Sequence, residues 1–166
     1  MTKRLILMRH AKSGWDDPCL DDHDRVLTER GRQASNAIGQ WMATRGYAPA
    51  LLLSSSSERT HETWAGVAQH LGDALTEFTS QLYLAAPGKM LSLLQKFSED
   101  TVMMLGHNPG TAALAAGLVE GGVTHPKFRQ YPSGATTVLD FDIENWSDIQ
   151  PSSGRLVNFI VPRELV

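Results

Sequence analysis

Short apolar runs along the chain alternate with segments in which apolar residues recur at the spacing of a helix. Runs that are bounded by polar or turn-forming residues predict short buried strands. These runs are Leu5–Met8, Leu51–Leu53, a weaker one at Leu75–Phe78, and Thr101–Leu105. Because each run precedes a helical segment, the alternation is typical of parallel strands in one sheet.

The four helical segments each place apolar side chains on one face. The faces comprise Ala34, Ala37, Ile38, Trp41 and Met42 in the first; Trp64, Val67, Ala68 and Leu71 in the second; Met90, Leu91, Leu94 and Phe97 in the third; and Leu114, Ala115, Leu118 and Val119 in the fourth. We expect Thr28 to cap the first helix and Gly72 to end the second. Pro87 and Pro109 open the third and the fourth.

The pattern changes after residue 135. Thr136–Asp142 and Arg155–Val161 have the composition of strands, and the segment between them is rich in turn-forming residues. Such a pair predicts a β-hairpin, so at least one antiparallel strand joins the sheet. We therefore predict an α/β fold with three layers, α/β/α, around a mostly parallel mixed sheet of about six strands.

Composition limits the size of the protein and its partners. With 166 residues, 42% of them hydrophobic, we expect residues 1–166 to form a single domain. A net charge of -3 gives no sign of a surface for nucleic acid or for an anionic membrane. The apolar run Leu5–Met8 is too short for a signal peptide or a membrane span, so we expect a cytoplasmic protein. Cys19 is the only cysteine and cannot form an internal disulfide, which agrees with a reducing compartment.

Polar and cationic residues follow three of the predicted strands directly. The junctions are Arg-His-Ala-Lys-Ser at 9–13, Ser-Ser-Ser-Ser-Glu-Arg-Thr at 54–60, and Gly-His-Asn-Pro-Gly at 106–110. Because the carboxyl ends of parallel strands meet at one edge of a sheet, ligands bind there. We therefore expect two arginines and two histidines to converge at this edge: Arg9, Arg59, His10 and His107.

This group of side chains suits the chemistry of a phosphoryl group. Two guanidinium groups and a helix N-terminus bind a phosphoryl dianion with paired donors. Their charge lowers the pKa of a neighbouring histidine, so one imidazole stays neutral and able to attack phosphorus while the other donates to phosphoryl oxygens. Such a site needs no metal and no cofactor, because side-chain cations neutralise the charge of the transition state.

Each of these features also has a purely structural interpretation. Residues 106–110 could form only a tight turn, and Arg59 could be a surface ion-pair partner of Glu58 or Glu62. The remaining histidines, His23, His61, His70 and His125, are interpreted as structural. The chain has no H-x-x-x-H pair and no C-x-x-C, which argues against zinc, and it has no Walker motif.

Three segments, taken in order, resemble the signature segments of the histidine phosphatase superfamily, which has the phosphoglycerate-mutase-like fold. They are LILMRHAKS at 5–13, SSSSERTHET at 54–63 and GHNPG at 106–110. The RHAKS variant, with DRVLTERG at 24–31, is more narrowly similar to SixA-type phosphohistidine phosphatases. The resemblance spans residues 4–160.

The resemblance implies a role for each matching residue. It makes His10 the nucleophile that is transiently phosphorylated, and it places Arg9, Arg59 and His107 in the rest of the phosphate pocket. It further implies that Lys12, Ser13 and Asn108 help to position substrate. The matching Arg25 and Gly31 are expected to anchor the loop to the first helix.

One departure from the family pattern bears on the substrate. Larger members carry an acidic proton donor after the third strand, whereas residues 78–98 contain no Asp or Glu. Two explanations are possible. Either an acid of the loop after the first motif, Asp16, Asp17, Asp21 or Asp22, acts as the proton donor instead, or the leaving group needs little help from a proton donor. A phosphoramidate releases an imidazole that can be protonated on its own ring, so the gap favours phosphohistidine.

We therefore expect a metal-independent phosphatase that acts through a phosphohistidine intermediate, with a phosphorylated protein as its partner. Two alternatives stay open. The same chemistry could act on a small phosphorylated metabolite, such as a sugar or nucleotide phosphate, or the fold could serve as a noncatalytic phosphate-binding module. The predicted core leaves no room for a large cap insertion, which favours an open site that receives a histidine on another protein.

Overall fold

The computed structural model describes residues 2–166. The strands are β1 (Lys3–Arg9), β2 (Leu51–Ser55), β3 (Leu75–Thr79), β4 (Thr101–Gly106), β5 (Thr136–Phe141) and β6 (Arg155–Ile160). The helices are α1 (Glu29–Arg45), α2 (Glu58–Ala68), α3 (Pro87–Leu94) and α4 (Gly110–Leu118). The α/β fold predicted from the hydrophobic pattern is confirmed.

The six strands form one mixed sheet in the order β3-β2-β4-β1-β5-β6. The pairs β1/β4, β2/β4 and β2/β3 are parallel. Strand β5 is antiparallel to both of its neighbours, β1 and β6, so the expected hairpin is present. The three strands that precede the expected site, β2, β4 and β1, are adjacent, and their carboxyl ends therefore lie side by side.

Hydrophobic layers cover both faces of the sheet. On one face, Ile38 and Met42 of α1 and Val67 of α2 pack against Ile6, Met8 and Leu52. On the other face, Leu94 of α3 and Leu114 of α4 pack against Leu5, Leu7 and Leu53. The central strands are thus buried on both sides, as parallel strands beneath helices usually are. The result is the predicted three-layer arrangement.

Helix starts agree with the sequence better than helix ends do. The side chain of Thr28 accepts a hydrogen bond from the Gly31 amide and caps α1 as expected. Helix α2 ends at Ala68 rather than near Gly72, and α3 ends at Leu94 rather than at Phe97. In both cases the chain tightens into i to i+3 hydrogen bonds, while Leu71 and Phe97 still pack against the core.

Among residues 2–166, no helix is both long and apolar enough to cross a lipid bilayer.

Candidate active site

The ends of β1 and β4 bring the two motif histidines together. Arg9 pairs with Gly106 in the parallel register, and the amide of His10 donates to the Gly106 carbonyl at 3.0 Å. The rings of His10 and His107 lie 5.3 Å apart between centroids. Both residues are buried at the carboxyl edge of the sheet, and they form the centre of the candidate site, which we refer to as the pocket.

The hydrogen bond of His10 determines which of its ring nitrogens is free. Nδ1 lies 2.7 Å from the backbone oxygen of Ala11. Because a carbonyl oxygen can only accept, the neutral ring carries its proton on Nδ1 and leaves the lone pair on Nε2. The neutral His10 ring therefore has its unprotonated nitrogen at Nε2, which is the form in which an imidazole can act as a nucleophile.

His107 has the opposite tautomer. Its Nδ1 lies 3.3 Å from Nη2 of Arg59, and its Nε2 lies 2.8 Å from the hydroxyl oxygen of Ser55. A guanidinium can only donate, so Nδ1 accepts and the Nε2 proton is donated to Ser55. In this state both ring nitrogens of His107 are bonded to protein groups.

The guanidinium groups of Arg9 and Arg59 reach the same pocket and keep unused donors. Nη1 of Arg9 donates to the Tyr131 carbonyl at 3.1 Å. The Nε atoms of both arginines are buried and have no hydrogen-bond partner in residues 2–166. Buried polar groups rarely stay unpaired, and guanidinium donors pair best with oxyanions. The pocket is therefore suited to an anion.

Asp22 brings a single carboxylate to this cationic pocket. Arg59 donates to its backbone oxygen at 2.6 Å and to its Oδ2 at 3.1 Å, while Nε of Arg25 donates to Oδ1 at 3.0 Å. The Tyr83 hydroxyl donates to Oδ2 as well. Burial alone would raise the pKa of Asp22, but the hydrogen bonds from Tyr83, Arg25 and Arg59 lower it to about 2. Arg9, Arg25 and Arg59 against this one carboxylate leave two net positive charges, which match a phosphoryl dianion.

The same surroundings keep both histidines neutral. Burial is the main cause that lowers the pKa of His10 to about 4; the charges of Arg59, Arg9 and Arg25 act in the same direction, and the hydrogen bond to Ala11 opposes them. Burial, with the nearby His10 and Arg59, lowers the pKa of His107 to about 3. At neutral pH the Nε2 lone pair of His10 is thus available.

Two close backbone approaches place these residues. A Cβ on Gly31, in the first turn of α1, would lie 2.1 Å from the Lys12 oxygen, so only glycine lets α1 pack on the loop after β1. A Cβ on Gly110 would lie 2.0 Å from the oxygen of Ala85, which brings the segment with Tyr83 against the third motif. The Tyr83 ring then meets His107 edge to face, at 5.4 Å between centroids.

The three further expected substrate-positioning residues surround the four core residues rather than joining them. The Ser13 hydroxyl accepts a hydrogen bond from Arg25 at 3.0 Å. Nδ2 of Asn108 donates to the carbonyls of Gln130 and Tyr131, although its Oδ1 is buried without a partner in the described part of the chain. The Lys12 side chain is exposed and lines a separate cleft.

The four histidines interpreted as structural are each hydrogen-bonded to protein. His61 bonds the Ser57 carbonyl, His70 bonds Asn36 and His125 bonds Glu164. His23 bonds the Ser56 hydroxyl and lies against Tyr83, close to the pocket. Over residues 2–166, no group of three or more His, Cys, Asp or Glu side chains could hold a metal ion.

Some residues of the pocket can be predicted from the sequence, and others cannot. Asp22 was one of four candidate acids in its loop, and only the structure selects it. Ser55 lies in the serine run of the second motif, but nothing in the pattern distinguishes it from its neighbours. Tyr83 was missed, because it follows a weak edge strand and its sequence context contains no motif.

Comparison with known proteins identifies the group to which this arrangement belongs. The family model of the histidine phosphatase superfamily (branch 1) matches residues 5–82. An uncharacterised protein of Mycobacterium tuberculosis (strain H37Rv) is 33% identical over 164 residues, which cover 94% of this chain and 100% of that protein.

Solved structures agree with the sequence comparison. A candidate phosphohistidine phosphatase SixA from Nakamurella multipartitia superposes with a TM-score of 0.82 at 27% identity, covering 98% of this chain and 97% of that one. A second candidate phosphohistidine phosphatase SixA, from Agrobacterium tumefaciens, gives a TM-score of 0.80 at 27% identity, with 96% and 98% covered. With the two histidines and two arginines at the edge of the same sheet, the chain belongs to the histidine phosphatase superfamily and is a phosphatase of the SixA type.

Proposed function

We propose that the protein is a metal-independent phosphatase that hydrolyses phosphohistidine on another protein through a phosphohistidine intermediate at His10. The observation that carries the proposal is the hydrogen bond from Nδ1 of His10 to the Ala11 carbonyl, which leaves the lone pair of a neutral ring on Nε2. This ring lies near the charges of Arg59 and Arg9, whose buried Nε donors have no partner in residues 2–166. A held, uncharged imidazole beside fixed cations is the arrangement that phosphoryl transfer to histidine needs.

In the first step, Nε2 of His10 attacks phosphorus in line with the substrate's P–N bond. The bond from Nε2 to phosphorus forms and the substrate P–N bond breaks. The other ring nitrogen of the substrate histidine holds a proton taken from solvent, so the imidazole leaves as a neutral group. Arg9 and Arg59 bind the equatorial oxygens with their free donors, which stabilises the charge of the transition state. When the dianion binds, the Arg59 donors turn to its oxygens and release Nδ1 of His107. The charge of the dianion raises the pKa of His107, so Nδ1 takes up a proton and donates it to a phosphoryl oxygen.

In the second step, a water molecule attacks phosphorus from the side opposite Nε2. The bond from phosphorus to Nε2 breaks, inorganic phosphate forms, and the neutral His10 is recovered. Arg9, Arg59 and His107 serve the same transition-state oxygens as before. The positive charge of these residues neutralises the charge that develops on the phosphoryl oxygens, which is the role of the metal ion in metal-dependent phosphatases. The proposed reaction therefore needs no metal.

The protonation state of Asp22 favours phosphohistidine over alkyl phosphates. Asp22 is the carboxylate that the loop brings to the pocket, and its pKa of about 2 leaves it ionised at neutral pH. An ionised carboxylate does not donate a proton, so a poor alkoxide leaving group receives no help from it. An imidazole leaving group is protonated on its own ring. The SixA neighbours, named as candidate phosphohistidine phosphatases, support the same choice.

We also propose that the chain forms one domain with no large cap over the site. Supporting this, α1 and α2 pack on one face of the sheet and α3 and α4 on the other, rather than across its carboxyl edge. A histidine on the surface of a second protein could then approach the pocket directly.

The test compares turnover of a histidine-phosphorylated protein with turnover of a panel of alkyl phosphates. We expect kcat/KM to be at least about 100-fold higher on phosphohistidine, because the alkyl substrates lack the contribution of a general acid. Efficient alkyl phosphate hydrolysis without activity on phosphohistidine would reject the proposed substrate and favour a small metabolite.

His10→Asn and His70→Asn serve as matched variants in this test. Both replace a histidine, but His70 bonds Asn36 on the surface, outside the pocket. His10→Asn should abolish turnover and His70→Asn should retain it. Phosphate binding without turnover in the wild type would identify a noncatalytic module instead.

A further inference from the structure

A second cavity opens next to the active site, with a volume of about 430 Å³. Its lining includes four cationic side chains, Lys12, Arg30, Lys127 and Arg163, and no Asp or Glu. Between them, Ala34 and Val161 form an apolar floor. We refer to this cavity as the basic cleft. Because the chain as a whole carries a net charge of -3, four cationic side chains with no acidic side chain among them mark this surface as unlike the rest.

None of the four cations forms a salt bridge within residues 2–166. The carboxylates next to Arg30 and Arg163 in sequence are engaged elsewhere. Glu29 pairs with Arg32, and Glu164 accepts hydrogen bonds from His125 and from the Val161 amide. The charge of the basic cleft is therefore available to a partner.

The basic cleft adjoins the nucleophile. Lys12 lies two residues after His10 in the loop that follows β1. Ser133 also lines the cleft and precedes Gly134, whose amide donates to the backbone oxygen of His10 at 2.9 Å. A chain segment that continues from a histidine seated at His10 can therefore enter the basic cleft.

The form of the cleft indicates the form of its ligand. Its four cations are exposed, and they come from four separate segments around an open rim. A single phosphate is better held by buried guanidinium donors, such as those of Arg9 and Arg59. Charges spread above an apolar floor suit a peptide chain that carries several carboxylates. The aliphatic parts of its acidic side chains pack on the floor, between the cations of the cleft.

We propose that the basic cleft docks an acidic segment of the phosphorylated protein, adjacent to its phosphohistidine. This inference rests on the proposed function, since it names what surrounds the histidine substrate. It makes charge near the target histidine a determinant of substrate choice. Like other exposed electrostatic contacts, it weakens as salt is raised.

The test measures binding of a fluorescein-labelled, unphosphorylated peptide in which Asp and Glu flank a histidine, by fluorescence anisotropy at low salt. The variant Arg30→Gln/Lys127→Gln/Arg163→Gln removes three cations of the cleft without touching the pocket. We expect its Kd for the peptide to rise at least about 10-fold over wild type, in line with losing several complementary charges. A peptide with Asn and Gln in place of the acids should bind the wild type as weakly as the acidic peptide binds the triple variant.

The matched control is Arg45→Gln/Lys89→Gln/Lys96→Gln. It makes the same change in net charge with three cations that lie outside the cleft and form no salt bridge in the described residues. The Kd of the control variant for the acidic peptide should lie within about twofold of the wild-type Kd, because cations outside the cleft contribute little to binding.

Three results would overturn the inference. In the first, both triple variants bind the peptide equally, so that only net charge matters. In the second, the neutral peptide binds wild type as well as the acidic one does. In the third, inorganic pyrophosphate occupies the cleft more tightly than the peptide and loses its affinity in the cleft variant, which makes a small polyanion the ligand. Because the peptide is unphosphorylated, all of these results can be read even if phosphohistidine turnover is absent.

Discussion

Acidifying the solution from pH 7.5 to pH 5 should destabilise the protein through His10. Its imidazole has a pKa of about 4 in the folded protein, mainly because burial disfavours the charged ring, and 6.5 as a reference for the unfolded chain. Between these values the unfolded chain binds a proton that the folded protein does not. Stability is therefore full above pH 6.5 and falls as the pH drops toward 4.

The size of the effect follows from the two pKa values. At pH 5 the ring is charged in nearly all unfolded molecules and neutral in nearly all folded ones, which corresponds to roughly 2 kcal/mol of lost unfolding free energy. Below pH 4 the loss levels off at roughly 3 kcal/mol. His10 is 6% exposed, so solvent screens this effect little.

Urea unfolding of wild type and His10→Asn at pH 7.5 and pH 5 isolates this contribution. Other groups titrate in both proteins, so the wild type should lose about 2 kcal/mol more than the variant over this interval. His70→Asn should behave as the wild type does. If wild type and His10→Asn lose equal stability, the pocket does not hold His10 neutral, and the reasoning that makes it a nucleophile fails.

Three further predictions concern the phosphate pocket. Arg59→Lys keeps the charge but loses the forked donors, so kcat/KM on phosphohistidine should fall by about 100-fold or more while the thermal midpoint changes little; a loss of activity that parallels unfolding would make Arg59 structural. Asp22→Asn removes the carboxylate that holds Arg59 in position. We expect kcat to fall about 10-fold on both phosphohistidine and alkyl phosphates, because the variant loses the positioning of Arg59 and not a proton donor. A loss confined to alkyl phosphates would instead identify Asp22 as the general acid. Incubation with EDTA followed by gel filtration should leave turnover unchanged, and loss of activity restored by a divalent cation would contradict the proposed metal independence.

The layered fold could be predicted because local and global signals agree. The period of the apolar positions locates every strand and helix, and the hydroxyl of Thr28 marks the start of α1. The order of the strands could not be predicted in the same way. The pairing of β4 between β1 and β2 depends on contacts across long stretches of chain, and periodicity does not encode those contacts.

The centre of the site could be predicted because backbone topology alone brings it together. His10, Arg59 and His107 follow adjacent parallel strands, so their convergence needs no knowledge of loop conformation. The contacts of Asp22 and Tyr83 do depend on loops. A short 3₁₀ turn carries Asp22, and Tyr83 follows another one, so their meeting at Arg59 results from tertiary packing.

The basic cleft illustrates the same limit. Its four cations lie at positions 12, 30, 127 and 163 of the sequence, and this spacing is too wide for a motif or a run of charges to connect them. Three of them lie outside the signature segments, and overall composition conceals them because the net charge is negative. The packing of the 3₁₀ turn Pro162–Glu164 against α1 brings Arg163 and Arg30 together, and the loops that carry Lys12 and Lys127 complete the surface.

Transfer of the phosphoryl group through Nε2 of His10 can be tested directly. Wild-type protein is mixed rapidly with a phosphoramidate, quenched in alkaline denaturant to preserve the P–N bond, and digested for mass spectrometry. We expect one phosphoryl group, located on His10 in the wild type and absent from His10→Asn. A phosphoryl group on another residue of the wild type, or an adduct that persists in His10→Asn, would contradict it.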